Sequence, residues 1–235
     1  DKLKQPYNLC PWNPGDSAAA KAVVARDPAL VRAIELFKIE RPSWAAREWA
    51  EALSRFDDSQ RRLAVEVASN NGWFDRAVFA LKGPQELRLY NLRFPLHHDD
   101  TIRREAARNA LDPAWIAAEI RAESIFNPNA RSPANAMGLM QVLPATGASV
   151  AKSIGLSGYG GASSLYDSDT NIAIGTAYLR QLMDKYNGLP YVTIAAYNAG
   201  PTPTARWQSQ RPNYDPDLWI ETISYKETRE YVARV

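Results

Sequence analysis

The chain has 235 residues, 46% of them hydrophobic, and its 28 basic and 26 acidic residues leave a net charge of +2. This composition is typical of a globular protein with a real core, and no run of like charge is long enough to follow a phosphate backbone, so no nucleic-acid partner is expected. The single cysteine, Cys10, excludes an internal disulfide framework and a cysteine-rich zinc site, and no apolar run approaches the ~18 residues that span a bilayer.

Residues 1–15 show neither helical nor strand periodicity. They end in a cluster of Pro, Asn and Gly, which favours turns, so the sequence predicts an extended arm that lies on another part of the fold with Cys10 packed within it. Because the chain begins with Asp1 and not with a Met and an apolar leader, we expect it to be a processed or trimmed product.

The next segment, residues 16–94, is rich in helical patterns. Apolar residues recur three or four positions apart in PALVRAIELFKI, SWAAREWAEALSRF, DSQRRLAVEVASNNG and WFDRAVFALKG. Several of these stretches begin at Ser, Asp or Pro or end at Gly, as helices do. The short breaks between them predict a small domain of stacked helical hairpins.

The stretch RFPLHHDD at residues 93–100 interrupts the helices and predicts a domain boundary, after which residues 95–235 form a second domain. Its neighbouring His97 and His98 would point in different directions on a helix or a strand. Since a metal ion needs ligands that converge, no metal site is expected here.

Helical periodicity continues through the second domain. It predicts helices at 101–110, 112–126, 144–154, 169–187, 190–199, 216–223 and 225–235. No run alternates between apolar and polar residues as a half-buried strand would, so the whole chain is predicted to be all-α.

Two patterns resemble ligand loops but lack essential residues. DSDTN at 167–171 has the first three ligand positions of a calcium loop, but Ile172 stands where that loop needs Gly and Tyr178 where it needs a bidentate Glu. We interpret it as a helix start capped by Asp169. GLSGYGG at 155–161 has no Lys after it and no strand before it, so it predicts a flexible connector and not a phosphate loop.

One acidic residue lies on a helix face that should be buried. Asp112 followed by Pro113 is a typical helix start, which fixes the positions on the helical wheel. At about 100° per residue, Ile116, Ile120 and Glu123 then lie on nearly one line. Burial disfavours the ionised form of a carboxyl, and the raised pKa that results suits a general acid that must keep its proton near neutral pH.

A structural explanation of Glu123 is also open, in which it pairs with Arg103 or Arg104 of the preceding helix. Glu119, one turn earlier, lies on the same helix face. Glycosidases flank the sugar with two carboxyls, whereas two acids on one face approach it from the same side, so Glu119 is expected to have a structural or supporting role.

Four stretches occur together in a defined order in the second half of the chain. They are ESIFNPNARSPANAMGLMQ at 123–141, DTNIAIGTAYL at 169–179, AAYNAGP at 195–201 and ETISYKETREYV at 221–232. With them, the chain from about Phe94 onwards resembles the catalytic domain of the soluble lytic transglycosylases, periplasmic enzymes that cut peptidoglycan. The helical hairpins before it are similar to the linker domain of that family. Ser224 is a departure, since the family usually has Pro there.

The resemblance implies an all-α protein with a lysozyme-like catalytic domain preceded by a small helical-hairpin linker domain. It implies that Glu123 is the single catalytic acid and base, with no metal and no cofactor. Cleavage of the β-1,4 bond between N-acetylmuramic acid (MurNAc) and N-acetylglucosamine (GlcNAc) would then proceed without water and give 1,6-anhydro-MurNAc ends. The residues expected to bind substrate are Ser132, Met140, Gln141, Tyr197, Asn198, Glu221 and Tyr225.

The same resemblance implies peptidoglycan strands as the partner and the periplasm of a Gram-negative bacterium as the location, with export by a signal peptide that this chain lacks. It also implies a large N-terminal superhelical domain, which has no counterpart in these residues. Two other functions stay open: a hydrolytic muramidase, and a glycan-binding scaffold without chemistry. The intact Glu123 argues against the scaffold, since a binding protein has no need of a desolvated acid.

Overall fold

The computed structural model describes residues 10–235, apart from the side chain of Ala77, and forms two compact units. The first unit ends at Pro95 and the second is Leu96–Val235. Over the described residues the chain forms helices, turns and loops without a strand, which confirms the all-α prediction.

The first unit is a stack of short helices. Its described part contains α1 (Ala18–Ala25), α2 (Pro28–Lys38), α3 (Pro42–Arg55), α4 (Asp58–Asn70), α5 (Phe74–Ala80), a 3₁₀ helix (Glu86–Arg88) and α6 (Tyr90–Arg93). Helices α2 and α3 pack together as a hairpin, and α4 packs against α1 and α5. Asp27 caps α2 by accepting from two backbone N–H groups, and Asp57 forms a capping box with Gln60 at the start of α4. The core of this unit includes Leu30, Ile34, Trp49, Leu63 and Trp73.

The predicted arm begins with residues 1–9, which lie outside the described residues, so only its last part can be compared with the structure. The backbone N–H of Trp12 donates to the carbonyl of Arg88 at 3.2 Å, and the Arg88 guanidinium donates to the carbonyl of Cys10 at 2.6 Å. The side chain of Cys10 is exposed, so the prediction that it packs within the arm is wrong.

The second unit is arranged around one long helix. It contains α7 (Asp99–Arg108), α8 (Pro113–Glu123), α9 (Pro144–Ser153), a 3₁₀ helix (Ala162–Tyr166), α10 (Ser168–Lys185), α11 (Pro190–Ala199), α12 (Pro201–Gln210), α13 (Pro216–Glu221) and α14 (Lys226–Val232). Helices α7, α9 and α11 pack on α10, α8 packs on α7, and α11 also contacts α12 and α14. Nine of the 18 residues of α10 are buried, which makes it the centre of this unit.

Helix α8 begins as predicted and ends earlier than predicted. Asp112 accepts from the N–H of Ala114, and Pro113 is the first helical residue. The helix then ends at Glu123, because Ile125 and Phe126 have positive φ values of 52° and 59° that no helix continues through. Glu123 therefore lies at the carboxyl end of α8, where a loop begins.

The start of α10 and the segment after α11 also differ from the prediction. Helix α10 is capped by Asp167, which accepts from the N–H of Thr170, whereas Asp169 accepts a hydrogen bond from Thr101 of α7. Helix α12 was not predicted at all. Gly200, with φ of 89°, ends α11, and Pro201 occupies the first turn of α12, so the glycine and proline change the direction of the chain without ending helical structure.

Candidate active site

The loop after α8 is fixed to α10 by one buried amide. The side chain of Asn171 accepts from the backbone N–H of Met140 at 2.7 Å and donates to the carbonyls of Met137 and Leu165 at 2.9 and 2.8 Å. All three bonds are buried, where an unmade hydrogen bond is costly. Asn171 therefore holds the loop in one position on α10.

Two glycines allow the loop to lie this close. At Gly138, where φ is 75°, an added Cβ would lie 2.1 Å from the carbonyl oxygen of Leu165 and 2.4 Å from the side-chain nitrogen of Asn171. At Gly175 on α10, an added Cβ would lie 2.4 Å from the sulfur of Met140. Any larger residue at either position would push the loop away from the helix.

An open cavity of about 540 Å³ lies within the second unit. Five of the predicted site residues line it together with Glu227: Glu123, Ser132, Gln141, Tyr197 and Asn198. The volume is in the range of ligand sites in proteins. The structure thus brings together residues that lie up to about a hundred positions apart in the chain.

Glu123 is partly buried at the edge of this cavity, and its Oε1 accepts from the hydroxyl of Tyr231 at 2.6 Å. Burial raises the pKa of Glu123 to about 7, the Tyr231 hydrogen bond opposes that rise, and the charge of Glu227 adds to it. A carboxyl with this pKa exists in both protonation states near neutral pH, as an acid–base group must.

The alternative in which Glu123 forms an ion pair is wrong. Arg103 pairs with Asp99 at 2.8 Å, and Arg104 pairs with Glu105 at 2.9 Å. These nearer carboxylates on α7 occupy the two guanidinium groups, so the group that Glu123 contacts is a phenol and not a cation.

Glu119 is fully buried one turn before Glu123. Its Oε1 accepts from the indole N–H of Trp115 at 3.0 Å, and its Oε2 is within hydrogen-bond distance of the Tyr231 hydroxyl. Burial raises the pKa of Glu119 to about 8 against the effect of these two hydrogen bonds, and the charge of Glu123 adds to the rise. Tyr231 therefore bridges two carboxyls with raised pKa values.

The polar groups of Tyr197 and Asn198 are anchored at the cavity wall. The Tyr197 hydroxyl donates to the carbonyl of Met140 at 2.8 Å, and the side-chain oxygen of Asn198 accepts from Thr228 of α14 at 2.7 Å. Burial raises the pKa of Tyr197 well above its usual value, with the nearby carboxyl of Glu123 adding to the rise, so its hydroxyl stays protonated. These contacts fix the two side chains before any ligand binds.

Gln141 and Ser132 also line the cavity while they stabilise the loop. The amide nitrogen of Gln141 donates to the carbonyls of Ala130 and Gly138 at 3.1 and 2.9 Å. The Ser132 hydroxyl oxygen accepts from the N–H of Ala136 at 3.0 Å. Both side chains close a turn of the loop, so they shape the wall as well as face it.

Three predicted substrate-binding residues are not brought to the cavity. Met140 is fully buried and packs on Gly175, so its side chain belongs to the core and its contribution to the wall is the carbonyl that holds Tyr197. Glu221 and Tyr225 are exposed at the junction of α13 and α14 and do not line the cavity, and Tyr225 packs edge-on against Trp207.

The sequence interpretation missed Glu227 and Tyr231, which lie four positions apart and therefore on one face of α14. Glu227 lines the cavity and Tyr231 contacts Glu123. The spacing was visible in ETREYV, but nothing local in the sequence shows that this face meets α8 about 110 positions away.

The described part of the chain has none of the features of a metal site or a membrane span. Over residues 10–235, no three His, Cys, Asp or Glu side chains come together as metal ligands would. Within the same range, no helix has both the length and the apolar composition that crossing a bilayer requires.

An open cavity with a near-neutral carboxyl at its edge defines a candidate acid–base site on an all-α fold. Comparison with known proteins gives the family. Residues 100–220 match the family model described as Transglycosylase SLT domain, and residues 23–83 match the one described as Soluble lytic murein transglycosylase L domain. The chain belongs to the soluble lytic transglycosylase family.

Individual proteins are similar along almost the whole chain. The soluble lytic murein transglycosylase of Escherichia coli K12 is 31% identical over 215 residues, which are 91% of this chain and 33% of that protein. A putative soluble lytic murein transglycosylase of Haemophilus influenzae is 32% identical in an alignment of 236 positions, which covers 100% of this chain and 39% of that protein. The chain thus spans between a third and two fifths of the length of these relatives.

Solved structures agree with this relationship. An inactive mutant of the lytic transglycosylase Slt from Pseudomonas aeruginosa superposes with a TM-score of 0.86 and 33% identity, covering 99% of this chain and 38% of that one. The 70 kDa soluble lytic transglycosylase of Escherichia coli superposes with a TM-score of 0.83 and 29% identity, covering 98% of this chain and 37% of that one. The predicted lysozyme-like transglycosylase fold is confirmed.

Proposed function

We propose that this chain is a lytic transglycosylase that cleaves the β-1,4 bond between MurNAc and GlcNAc in peptidoglycan and acts in the periplasm after export. The observation that carries the proposal is Glu123, a largely desolvated carboxyl at the edge of an open cavity, in a chain of the soluble lytic transglycosylase family. Relatives from Escherichia coli and Haemophilus influenzae that bear the name murein transglycosylase support the choice of peptidoglycan as substrate.

Glu123 acts first as the acid. Its pKa of about 7 means that a large fraction of the molecules carry the proton at neutral pH. That proton passes to the glycosidic oxygen as the bond from this oxygen to C1 of MurNAc breaks, and GlcNAc leaves with a free hydroxyl. Because its oxygen is protonated, GlcNAc does not have to leave as an unstable alkoxide.

Glu123 then acts as the base. The carboxylate formed in the first step takes the proton from the C6 hydroxyl of the same MurNAc while that oxygen bonds to C1, which closes the 1,6-anhydro ring and restores the acid. Because the nucleophile belongs to the sugar itself, no water is consumed. The hydrogen bond from Tyr231 stabilises the carboxylate between the two steps.

The cavity residues hold the glycan in this proposal. Gln141, Ser132, Tyr197 and Asn198 present polar side chains whose loop and helix contacts are already made, so the cavity needs little reorganisation on binding. Prior fixation of the wall lowers the entropy that binding would otherwise cost.

A hydrolytic muramidase is the second candidate, and one residue favours it. Glu227 lines the same cavity as Glu123, is exposed, and raises the pKa of Glu123 through its charge. An inverting hydrolase needs a second carboxylate of this kind to activate a water molecule. In the transglycosylase reaction Glu227 contributes only its charge.

Lysis of purified cell-wall sacculi, followed as loss of turbidity, tests the role of Glu123. Glu123→Gln keeps the shape of the side chain but holds no transferable proton, so lysis should fall below about a thousandth of the original rate while glycan binding changes only a few-fold. Glu230→Gln, an exposed change on α14, is the matched control. Lysis by the Glu123→Gln protein at more than this residual rate would remove Glu123 from its role.

Glu227→Gln separates the two candidate reactions in the same assay. If Glu227 activates water, its amide variant should lose lysis by about a hundredfold or more, as the loss of a general base does. In the transglycosylase reaction the variant keeps lysis within about tenfold, because only a long-range charge is removed.

A further inference from the structure

The proposed reaction leaves one buried acid without a role. Glu119 is fully buried in the second unit, and the groups that contact its two oxygens are the indole of Trp115 and the phenol of Tyr231. None of the ion pairs found among residues 10–235 includes Glu119. A buried carboxylate without a cation is costly, so its protonation state needs an explanation.

The number of available protons limits how Tyr231 can be hydrogen-bonded to the two carboxyls. The Tyr231 hydroxyl is within hydrogen-bond distance of Oε2 of Glu119 and of Oε1 of Glu123. A hydroxyl carries one proton and can donate to only one of these oxygens, so the second contact requires a proton that a carboxyl supplies. Either Glu119 donates to Tyr231, which donates to Glu123, or the order is reversed.

The surroundings favour the first order. Glu119 is fully buried, whereas Glu123 lies at the edge of the open cavity, and a negative charge is less costly where water has access. The indole of Trp115 donates to Oε1 of Glu119, which leaves Oε2 as the oxygen that carries the proton. Oε2 is the atom that faces Tyr231.

We propose that Glu119 is a positioning residue, held in its neutral acid form, that donates to Tyr231 and thereby directs the Tyr231 hydroxyl proton onto Oε1 of Glu123. This consequence for catalysis rests on the proposed function. With Oε1 occupied by a fixed donor, Glu123 exchanges its proton with substrate through Oε2 in both halves of the reaction. The directed bond also stabilises the carboxylate stage without supplying a cation, which would make Glu123 too weak a base.

Other titratable groups facing this chain of hydrogen bonds agree with the assignment. Tyr197 of α11 and Tyr231 of α14 both have pKa values raised well above the usual range by burial, with the two carboxyls adding to the effect, so both phenols stay protonated. Glu227 of α14 faces Glu123 from the cavity side, and Tyr178 of α10 lines the same cavity. None of these four groups offers a positive charge that would stabilise an ionised Glu119.

The test measures protonation directly. The whole chain is labelled with ¹³C at the glutamate side-chain carboxyls, and each carboxyl resonance is followed by NMR against pH. Glu119→Gln and Glu123→Gln each remove one resonance and so assign it. In the original chain, the Glu119 resonance should still be at its protonated position at pH 6, where ordinary glutamates are ionised.

Glu119→Gln is informative because the amide, like the protonated acid, has one group that accepts a hydrogen bond and one that donates. Trp115 should hold the amide oxygen, which turns the NH₂ group to Tyr231 as a donor. The titration midpoint of Glu123, and the alkaline limb of the lysis rate against pH, should therefore move by less than about 0.3 unit. Tyr231→Phe removes the donor to Glu123 and should raise that midpoint by about one unit. Thermal unfolding of both variants checks that they are folded.

Two results would overturn the proposal. One is a Glu119 resonance at its ionised position at pH 6. The other is a fall of about one unit or more in the Glu123 midpoint of Glu119→Gln, since that is the effect of removing a buried negative charge. Failure of the original chain to lyse sacculi would count against the proposed function instead, and the NMR titration would still decide the state of Glu119.

Discussion

At Glu123, burial and hydrogen bonding act on one carboxyl in opposite directions. Burial in the second unit disfavours its charge, while the hydroxyl of Tyr231 favours it, and the net result is a pKa of about 7. A carboxyl in this balance is destabilising for the fold at alkaline pH, because the folded state must then bury a charge that the unfolded chain exposes to water.

The stability of the fold should therefore depend on pH through Glu123. Its folded pKa of about 7 exceeds the ordinary value of 4.5, so the relative stability is fully present below about pH 4.5 and is lost as pH rises through about 7. Glu123→Gln removes this effect. The free energy of unfolding of the variant minus that of the original chain should therefore be about 3 kcal/mol larger at pH 8 than at pH 4. Paired urea denaturation curves at the two pH values measure this difference.

The exposed change Glu230→Gln, measured in the same way, should give no such difference between the two pH values. A Glu123→Gln protein that loses more stability at pH 8 than at pH 4 would mean that the native carboxylate is stabilised by a positive charge, contrary to the contacts described above.

Two glycines with similar backbone angles but different surroundings give a second prediction. Gly138 and Gly155 have φ values of 75° and 65°, but an added Cβ meets the Leu165 carbonyl and Asn171 at the first position and nothing within 4 Å at the second. Gly155→Ala should cost about 1–2 kcal/mol of stability, the cost of a left-handed backbone alone. Gly138→Ala should cost about 3 kcal/mol more because the loop must also move.

Thermal denaturation of the two alanine variants measures these costs side by side. Equal losses at the two positions would show that the loop does not lie against α10 as closely as the Asn171 contacts indicate.

The sequence predicts the position of a single residue well when that position depends on neighbouring residues, and poorly when it depends on distant ones. The helical wheel after Asp112 and Pro113 was enough to place Glu123 on a buried face, because only ten positions separate it from the helix start. The partners of that carboxyl are not local. Tyr231 and Glu227 follow it by about a hundred positions, and no periodicity within α8 predicts which face of α14 it meets.

At the scale of elements, the loop between α8 and α9 depends on α10 for its shape. Asn171 makes three buried hydrogen bonds to the loop and lies in the first turns of α10. In the sequence, Asn171 belongs to the incomplete calcium loop at 167–171 and to the family stretch at 169–179, but neither pattern indicates the tertiary partner of its side chain. Its function in the structure is to fasten the cavity wall.

Asn171→Leu should therefore weaken both fold and activity. The substitution keeps the branching at Cγ but removes three bonds and leaves the N–H of Met140 and two carbonyls unpaired in the core, which should cost about 3–5 kcal/mol. Lysis should fall by more than about tenfold at a temperature where the variant is still folded, because the wall that contains Gln141 is displaced. Circular dichroism melts and the turbidity assay measure the two effects.

Asn213→Leu, at an exposed position, is the matched control for the added apolar side chain. If Asn171→Leu unfolds within about 1 kcal/mol of that control, the loop has another anchor and this account of the cavity wall is wrong.

In the second unit, helix existence was predicted better than helix ends, and the α-helix that was missed there has a physical explanation. Periodicity and Pro or Asp starts indicated α2, α3, α4 and the helices around the cavity. Helix α12 was missed because Gly200 and Pro201 are common helix terminators, and the same two residues here end α11 and begin the next helix. Which of the two roles they take depends on what the following residues pack against, and in the structure Thr204 and Trp207 of α12 are buried.

At the scale of the whole molecule, the protonation of Glu123 should set the pH dependence of lysis. The acid step needs the proton, so the specificity constant should fall about tenfold per pH unit above about pH 7, the pKa of Glu123. Initial rates with sacculi at subsaturating concentrations, from pH 5 to pH 9, measure the profile. A rate that stays level up to pH 9 would mean that another group supplies the proton.

The predicted division into a linker domain at 16–94 and a catalytic domain at 95–235 remains a prediction about function. The described chain forms one compact unit up to Pro95 and another from Leu96, and the residues proposed for chemistry all lie in the second. The sequence indicated the position of this division because RFPLHHDD interrupts helical periodicity locally. Any contribution of the first unit to glycan cleavage would depend on contacts that no local pattern encodes.

The central claim is that one carboxyl serves as acid and then as base, with the C6 hydroxyl of the sugar in place of water. Digestion of sacculi in water enriched in oxygen-18, followed by mass spectrometry of the fragments, tests it most directly. We expect 1,6-anhydro-MurNAc ends that contain no oxygen-18, because the new bond at C1 is made by an oxygen already in the substrate. Reducing MurNAc ends carrying oxygen-18 as the main product would contradict the claim and would make Glu227 the base of a hydrolytic muramidase.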